Sequence, residues 1–317
     1  MKIAILGAAG MLGAKLAKRI LEGALGDAEL TLIDRVLPNA QPSATSLQLD
    51  LADPDAMDQI AALNPDLVFH LAAVVSGQAE AEFDTGYAVN LDLTHRLAEA
   101  LRALNTNPRL IFSSSLAVYG PPFPTPVPED FRPTPASSYG TQKAMAELML
   151  ADYTRKGFLR AQSLRLPTVS IRPGTPNAAA SGFLSGILRE PLHGKAAPLP
   201  VREDTAVWIA SPDITVEGLL HAANLPWETA NDLNPLNLRG ISVTVSEMLD
   251  ALERLAGADA RALVHAAPDE TVARIVTSWP QSFVTSRATA LGFPVNTDID
   301  EIIREYCAQY APDVLRR

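Results

Sequence analysis

The stretch Lys2-Ile3-Ala4-Ile5-Leu6-Gly7-Ala8-Ala9-Gly10-Met11-Leu12-Gly13 decides how the chain is read. A short apolar run over 2–6 stops at Gly7, and from Met11 to Leu21 apolar Leu12, Leu16 and Ile20 recur at helical spacing. A strand entering a helix through a glycine turn lets the backbone approach a pyrophosphate closely. The helix N-terminus adds oriented N–H groups and a favourable dipole. Gly and Ala also suit any tight strand–helix turn. What singles this one out is its place directly after the first strand, where a dinucleotide fold needs it.

Working outward, strand-like runs recur at Glu29–Ile33, Ser46–Leu49, Leu67–Leu71, Arg109–Ser113 and Ala161–Leu166. Helical stretches lie between them at Asp55–Leu63, Leu91–Leu104 and Tyr139–Arg155. This alternation predicts an α/β fold, a doubly wound parallel sheet of the Rossmann type covered on both faces. Seven prolines between Pro121 and Pro135 exclude helix or central strand there and predict an ordered surface loop. Ser137 or Ser138 is the expected cap of the helix that follows. Beyond residue 170 the pattern is mixed, with a strand entering a helix over Ile241–Leu255 and an amphipathic helix over Ile299–Tyr310. The expected division is a dinucleotide-binding domain over 1–170, with part of 206–240 returning to it. A smaller, discontinuous α+β substrate lobe is expected from 171–205 and 241–317.

A 317-residue chain with 47% hydrophobic and 20% charged residues has the composition of a folded globular protein. A net charge of −10 without any Lys/Arg block argues against a nucleic acid or an anionic membrane as partner. The single cysteine, Cys307, excludes a disulfide framework or a Cys-rich zinc site and points to a reducing compartment, the cytoplasm. The five histidines show no metal-ligand spacing, so no metal is expected. No leader pattern opens the sequence, and no uncharged apolar run reaches the length of a membrane span.

Asp34 ends the second strand. A carboxylate there accepts hydrogen bonds from ribose hydroxyls and repels a 2′-phosphate, which favours NAD over NADP; the neighbouring Arg35 is the one feature that points the other way. Asp50 and Leu51 follow the third strand at the level of an adenine edge. Leu71, Ala72 and Ala73 follow the fourth, where small residues leave room for a cofactor.

Tyr139 and Lys143 stand four residues apart, on one face of a helix. Ser113, Ser114 and Ser115 end the fifth strand, at the carboxyl edge where open parallel sheets bind ligands. A free tyrosine, with a pKa of about 10, is a poor base near neutrality, but a nearby cation stabilises the phenolate. Lys143 and a positive nicotinamide ring are therefore expected to lower the Tyr139 pKa, and oxidation is expected to speed up as pH rises. A serine hydroxyl would hold the substrate oxygen while its proton moves to Tyr139. Each piece alone has an ordinary structural explanation; together they point to catalysis.

In combination these residues resemble the extended short-chain dehydrogenase/reductase family: GAAGMLG at 7–13, Asp34, LAA at 71–73, SSSLAVYG at 113–120 and YGTQK at 139–143. Asn90 matches the asparagine that the family carries in its central helix. The resemblance implies Ser115 as catalytic serine, Tyr139 as acid/base and Lys143 as the lysine holding the nicotinamide ribose. It also implies cofactor contacts at Gly7, Gly10, Met11, Leu12 and Ser113, and around Leu166 and Thr168, where Thr168 replaces the family's usual asparagine. The segments 155–158, 165–174, 183–194 and 240–249 resemble a subgroup that oxidises the 2-hydroxyl of a four-carbon sugar acid with NAD. A homodimer through the Leu91–Leu104 and Tyr139–Arg155 helices is implied as well.

A sugar acid needs a cation or several donors for its carboxylate. By position the candidates are Ser76, Arg172, Asn177, Ser181 and Arg202, with Ser115 and Tyr139 at the reacting hydroxyl. Trp208 and Trp279 read as packing residues, and His70, at the end of an apolar run, reads as a core histidine. Two rival readings share these motifs. One is a nucleotide-sugar epimerase or dehydratase that keeps NAD bound; the other is a non-catalytic dinucleotide sensor, which the presence of Tyr139 disfavours.

Overall fold

The structure is a computed structural model that describes residues 1–39, 41–174, 181–230 and 233–314. Its strands are β1 (Lys2–Leu6), β2 (Glu29–Asp34), β3 (Ala44–Gln48), β4 (Leu67–His70), β5 (Arg109–Ser115), β6 (Arg160–Leu166) and β7 (Thr168–Val169). They continue as β8 (Ala197–Leu199), β9 (Ala206–Ala210), β10 (Leu236–Asn237), β11 (Ile241–Thr244) and β12 (Val264–Ala266). The helices that matter for the site are α1 (Met11–Leu21), α2 (Ala56–Ala62), α3 (Ser76–Ala81), α4 (Phe83–Tyr87), α5 (Leu93–Ala103), α6 (Ser138–Arg155), α7 (Gly182–Leu192) and α8 (Pro212–Asn224).

Seven strands form one sheet in the order β10-β6-β5-β4-β1-β2-β3, and the pairs from β3 across to β6 are all parallel. Strand order reverses between β1 and β4, the switch point at which doubly wound sheets open a crevice beyond their carboxyl ends. Parallel strands buried on both faces read as continuous apolar runs rather than alternating ones. Leu67, Val68, Phe69 and His70 are accordingly all buried. Val68, Leu110 and Phe112 of the sheet pack with Leu97 and Leu101 of α5 and with Ala146 and Leu150 of α6 in one core cluster.

The chain divides into two compact units. The first comprises Met1–Val118, Pro135–Leu166 and Val216–Leu236; the second comprises Tyr119–Thr134, Pro167–Thr215 and Asn237–Arg317. The proline-rich segment falls in the second unit because its backbone is paired there: Val127 N–H donates to the Ser282 carbonyl, and Val284 N–H donates to that of Val127. The second unit holds a three-stranded sheet, β11-β9-β7, and the pair β12-β8. Its own core joins Leu184, Ile187 and Leu188 of α7 to Met248, Leu252, Ile302 and Ile303. The helix Val245–Ala256 starts where the sequence changes period, because Thr244 and Glu247 close a reciprocal capping box.

Among the described residues, no helix is long and apolar enough to cross a membrane.

Candidate active site

The glycine turn joins β1 to α1. Gly7 has φ +88°, and a Cβ there would lie 2.7 Å from the Ala72 nitrogen; one on Gly13 would lie 2.2 Å from the Gly7 carbonyl oxygen. Side chains are thus excluded and the turn presents bare backbone. Gly10 caps α1 without a side-chain hydrogen bond, and Met11 and Leu12 open the helix half-buried. Asp34 stands at the rim of the turn, its Oδ2 accepting from Ala9 N–H at 3.0 Å and its Oδ1 from Val36 N–H at 3.3 Å. A side-chain-free cradle at a helix N-terminus, rimmed by one carboxylate, fits the pyrophosphate and ribose of a dinucleotide.

Leu71 hydrogen bonds back to Leu6, and Ala72 touches the space beside Gly7, so the residues after β4 line the same turn. Asp50 is exposed and accepts from Ala52 N–H, whereas the Leu51 side chain is buried in the core. Only the Leu51 backbone is therefore open to a cofactor, a narrower role than the sequence suggested.

Asn90 is held by the protein itself. It lies in a π-helical turn, Ala88–Asp92, and is buried. Its Oδ1 accepts from Val74 N–H at 3.0 Å, and its Nδ2 donates to Val74 O and to Gln142 Oε1. With its amide engaged by Val74 and Gln142, Asn90 holds the segment after β4 in place.

The proton-handling residues meet where the end of β5 faces α6. Ser137 caps α6 by accepting from Gly140 N–H at 3.2 Å, and Glu80 of α3 accepts from Ser138 N–H at 2.9 Å. Both contacts satisfy donors that a helix start leaves open. Lys143 is 1% exposed and donates from Nζ to the Ser113 carbonyl at 2.8 Å; its Nζ lies 4.5 Å from the Phe112 ring centroid and 5.8 Å from that of Tyr139. The Ser113 hydroxyl donates to the His70 carbonyl at 3.0 Å. Ser115 keeps partial exposure, accepts from Ala117 N–H at 3.1 Å and lies near enough to the Tyr139 phenol to favour its ionised form.

Burial pushes the Tyr139 phenol up to about 12, against the opposing effect of the Ser115 hydroxyl. It drives Lys143 down to about 7, against the pull of the Glu147 carboxylate. The sequence led us to expect the phenol to fall below its free value. In the protein alone it rises, because desolvation outweighs every polar contact at the phenol.

His70 is the buried core histidine the sequence suggested. The Thr94 hydroxyl donates its one proton to the Asn90 carbonyl, so His70 Nε2 must be the donor in the 2.9 Å contact with Thr94 Oγ1. Burial, with Lys143 nearby, lowers its pKa to about 3, and the ring is neutral.

Sequence reasoning missed two charged residues behind this group. Glu147 and Arg165 are both buried and paired, with Arg165 Nε 2.9 Å from Oε1 and Nη2 2.6 Å from Oε2; Ser114 Oγ donates to the same carboxylate. The signal was present: a carboxylate two helical turns after Tyr139, and an arginine inside the otherwise uncharged run Ala161–Leu166.

Leu166 ends β6 in register with Ser115, Thr168 opens β7 and pairs with Ile209, and Ser76 opens α3 half-buried. In the second unit, Arg172 Nη2 donates to Ser181 Oγ at 2.8 Å, and its carbonyl accepts from Arg189. Among the described residues no carboxylate pairs with Arg172, and burial beside Arg189 lowers its pKa. Arg202 is different: it is 84% exposed and chelated by Asp204 through Nε and Nη2. Asn177 lies outside the described residues. Trp208 packs edge-on against Phe283, and Trp279 against the second unit's core, as packing residues do.

Residues 3–214 match the NAD dependent epimerase/dehydratase family. The chain is 45% identical over 316 residues to a D-erythronate dehydrogenase of Cupriavidus necator, covering 96% of this chain and 98% of that one. It is 41% identical over 310 residues to a D-erythronate dehydrogenase of Haemophilus influenzae, with coverage of 96% and 98%. A solved structure described as a nucleoside-diphosphate-sugar epimerase from Agrobacterium tumefaciens superposes with a TM-score of 0.95 at 44% identity, covering 99% of this chain and 96% of its own. A GalE-like L-threonine dehydrogenase from Cupriavidus necator, at 21% identity and a TM-score of 0.86, shares the fold. With the glycine cradle, Asp34 and the Ser115–Tyr139–Lys143 group on one framework, the chain belongs to the NAD dependent epimerase/dehydratase family and is an NAD-dependent oxidoreductase acting on CH–OH groups.

Proposed function

We propose that the protein oxidises the 2-hydroxyl of a small sugar acid, D-erythronate to 2-dehydro-D-erythronate, through a Ser115–Tyr139–Lys143 relay. The observation that carries this reading is the grouping of the Ser115 hydroxyl, the Tyr139 phenol and the Lys143 ammonium where β5 ends against α6. The full-length likeness to two D-erythronate dehydrogenases supports the choice of substrate.

Bound NAD supplies the hydride acceptor. Ser115 holds the substrate oxygen, Tyr139 takes its proton, and Lys143 compensates the negative charge that develops on the phenol. Gly7, Gly10, Met11 and Leu12 would cradle the pyrophosphate, Asp34 the adenine ribose, and Lys143 with Tyr139 the nicotinamide ribose. Asp50, the Leu51 backbone, Leu71, Ala72, Ala73, Ser113, Leu166 and Thr168 complete the cofactor contacts we assign. For the carboxylate of the substrate we retain Arg172, with Ser76 and Asn177 as further polar contacts.

We also infer a homodimer, supported by Met145 and by Leu148, which is 74% exposed, three residues apart on one face of α6, since adjoining exposed apolar side chains form the kind of patch that marks an association surface. A cytoplasmic setting is supported by Cys307, the one cysteine, held as a buried free thiol.

The test is a screen of four- and five-carbon aldonates with NAD, following the absorbance of the reduced nicotinamide. NADH should accumulate in proportion to added D-erythronate. A nucleotide-sugar epimerase, the function in the name of the Agrobacterium structure, would instead consume a UDP- or TDP-sugar with no net NADH. That result would overturn the reading.

A further inference from the structure

On the assignment of Tyr139 and Lys143 as the proton-handling pair, we propose that Glu147, gripped by Arg165 and Ser114, is a positioning residue of the same site. Its carboxylate sets the end of β5 against α6 and provides the counter-charge for the buried Lys143 ammonium.

The geometry comes first. Tyr139, Lys143 and Glu147 follow one another at four-residue steps, on one face of α6. Two of the three serines that end β5 are bonded to this face, the Ser113 carbonyl to Lys143 and the Ser114 hydroxyl to Glu147, and the Ser115 hydroxyl lies beside Tyr139. Arg165 closes the arrangement from β6, where it lies in register with Ser114 and forks both oxygens of Glu147. Three elements distant in sequence are thus locked at the point where Ser115 must present its hydroxyl.

Energetics point the same way. A buried ion pair is a weak stabiliser, because desolvation cancels most of its attraction and apolar residues of equal volume often do as well. Stability alone therefore gives little reason for a carboxylate 2% exposed and a guanidinium 5% exposed beside the relay. Charge gives a better one. The groups around Lys143 are Tyr139 and Glu147 on α6, the neutral His70 on β4, and the Phe112 ring and Ser113 carbonyl on β5, with Arg165 beyond Glu147 on β6. Glu147 is the one carboxylate among them in the described residues, and it opposes the loss of the lysine proton that burial favours.

The consequence has a definite sign. To receive the substrate's proton, the Tyr139–Lys143 pair must first lose one of its own, so oxidation accelerates as pH rises through the lower of the two values, that of Lys143 near 7. Neutralising Glu147 makes that proton leave more readily and shifts the limb to lower pH. The plateau falls too, since an ammonium facing a phenolate becomes the less favoured arrangement.

Wild type, Ser114→Ala, Glu147→Gln and the double variant Glu147→Gln/Arg165→Met should be compared in the pH profile of kcat, thermal midpoint and NADH affinity. Glu147→Gln and the double variant should move the limb about one pH unit lower and reduce the plateau about tenfold. NADH Kd should stay within about threefold of wild type, and the double variant should recover the thermal midpoint that Glu147→Gln loses. Ser114→Ala, which retains both charges, should lower kcat several-fold with the limb in place. A double variant whose midpoint and limb both match wild type overturns the proposal and leaves an ordinary packing pair. Should neither Glu147 variant fold, wild-type kcat in Ser114→Ala overturns it instead. Wild-type turnover in Tyr139→Phe would be a separate failure, that of the assignment on which the proposal rests.

Discussion

The glycine turn and the meeting of β5 with α6 lie in the same unit, yet they are built on opposite terms. The turn is backbone from end to end, and its cradle exists because Gly7 and Gly13 have no Cβ to fill it. The β5–α6 site is built chiefly of side chains, with serines, a phenol, an ammonium, a carboxylate and a guanidinium brought together in a buried space. A cradle of the first kind is specified by a few adjacent residues. A group of the second kind depends on partners dozens of positions apart, and each partner alters the charge preferences of the next. The two should therefore fail differently when damaged.

Damage to the side-chain site should appear in the chemical step. Tyr139→Phe removes the proton acceptor and little else, so kcat should drop by about 1000-fold. NADH affinity, measured by fluorescence titration, should hold within about twofold, because the backbone cradle is untouched. Equal losses in both would mean that the phenol also shapes the cofactor site, and the contrast between the two regions would weaken.

Damage to the cradle should show the reverse. A methyl on Gly13 meets the Gly7 carbonyl oxygen at 2.2 Å and the Ala8 Cα at 2.7 Å, both backbone atoms with no flexible side chain to yield. Gly13→Ala must displace the turn, and a displacement approaching 1 Å raises the KM for NAD on the order of 100-fold. At saturating NAD, kcat should remain within a few-fold of wild type. A normal KM in a folded variant would show that the turn has slack its packing does not suggest.

Asp34 refines the picture at the rim of the cradle. Its two oxygens are held by Ala9 and Val36 N–H groups, which aim the carboxylate at the rim. Asp34→Ala should shift the NAD/NADP ratio of kcat/KM by about tenfold toward NADP, the size of one charge-assisted hydrogen bond and one removed repulsion. An unchanged ratio would mean that Arg35 or the backbone discriminates between the two cofactors.

The difference between the regions also explains what could be read in advance. The alternation of strands and helices, the turn, Asp34 and the Ser137 cap follow from local periodicity and local chemistry, and all are present. So is the pairing of Tyr139 with Lys143, because helical spacing alone puts them on one face. Glu147 and Arg165 escaped notice because nothing local marks a charge as buried; only the packing of α6 on β5 and β6 removes them from water. The Tyr139 phenol misled for the same reason, since desolvation is a property of the assembled site. Asn90 was legible as a residue of the site, but its engagement by Val74 and Gln142, on either side of it in sequence, was not.

Arg202 shows the same limit from the other direction, through the smallest effect expected. Position and charge made it a candidate for a substrate carboxylate, as they did Arg172. In the fold the two part company: Arg172 is half-buried against Ser181 with no carboxylate partner among the described residues, whereas Arg202 is exposed and already chelated by Asp204 two residues on. An exposed ion pair of that kind contributes about 0–1 kcal/mol and leaves its arginine occupied by a local partner. Arg202→Ala should thus change the KM for D-erythronate by less than about twofold, within what an exposed pair can contribute. A tenfold rise would require the guanidinium to leave Asp204 for the substrate. Local sequence would then have identified an anion contact that the resting structure conceals, the opposite of what happened at Glu147.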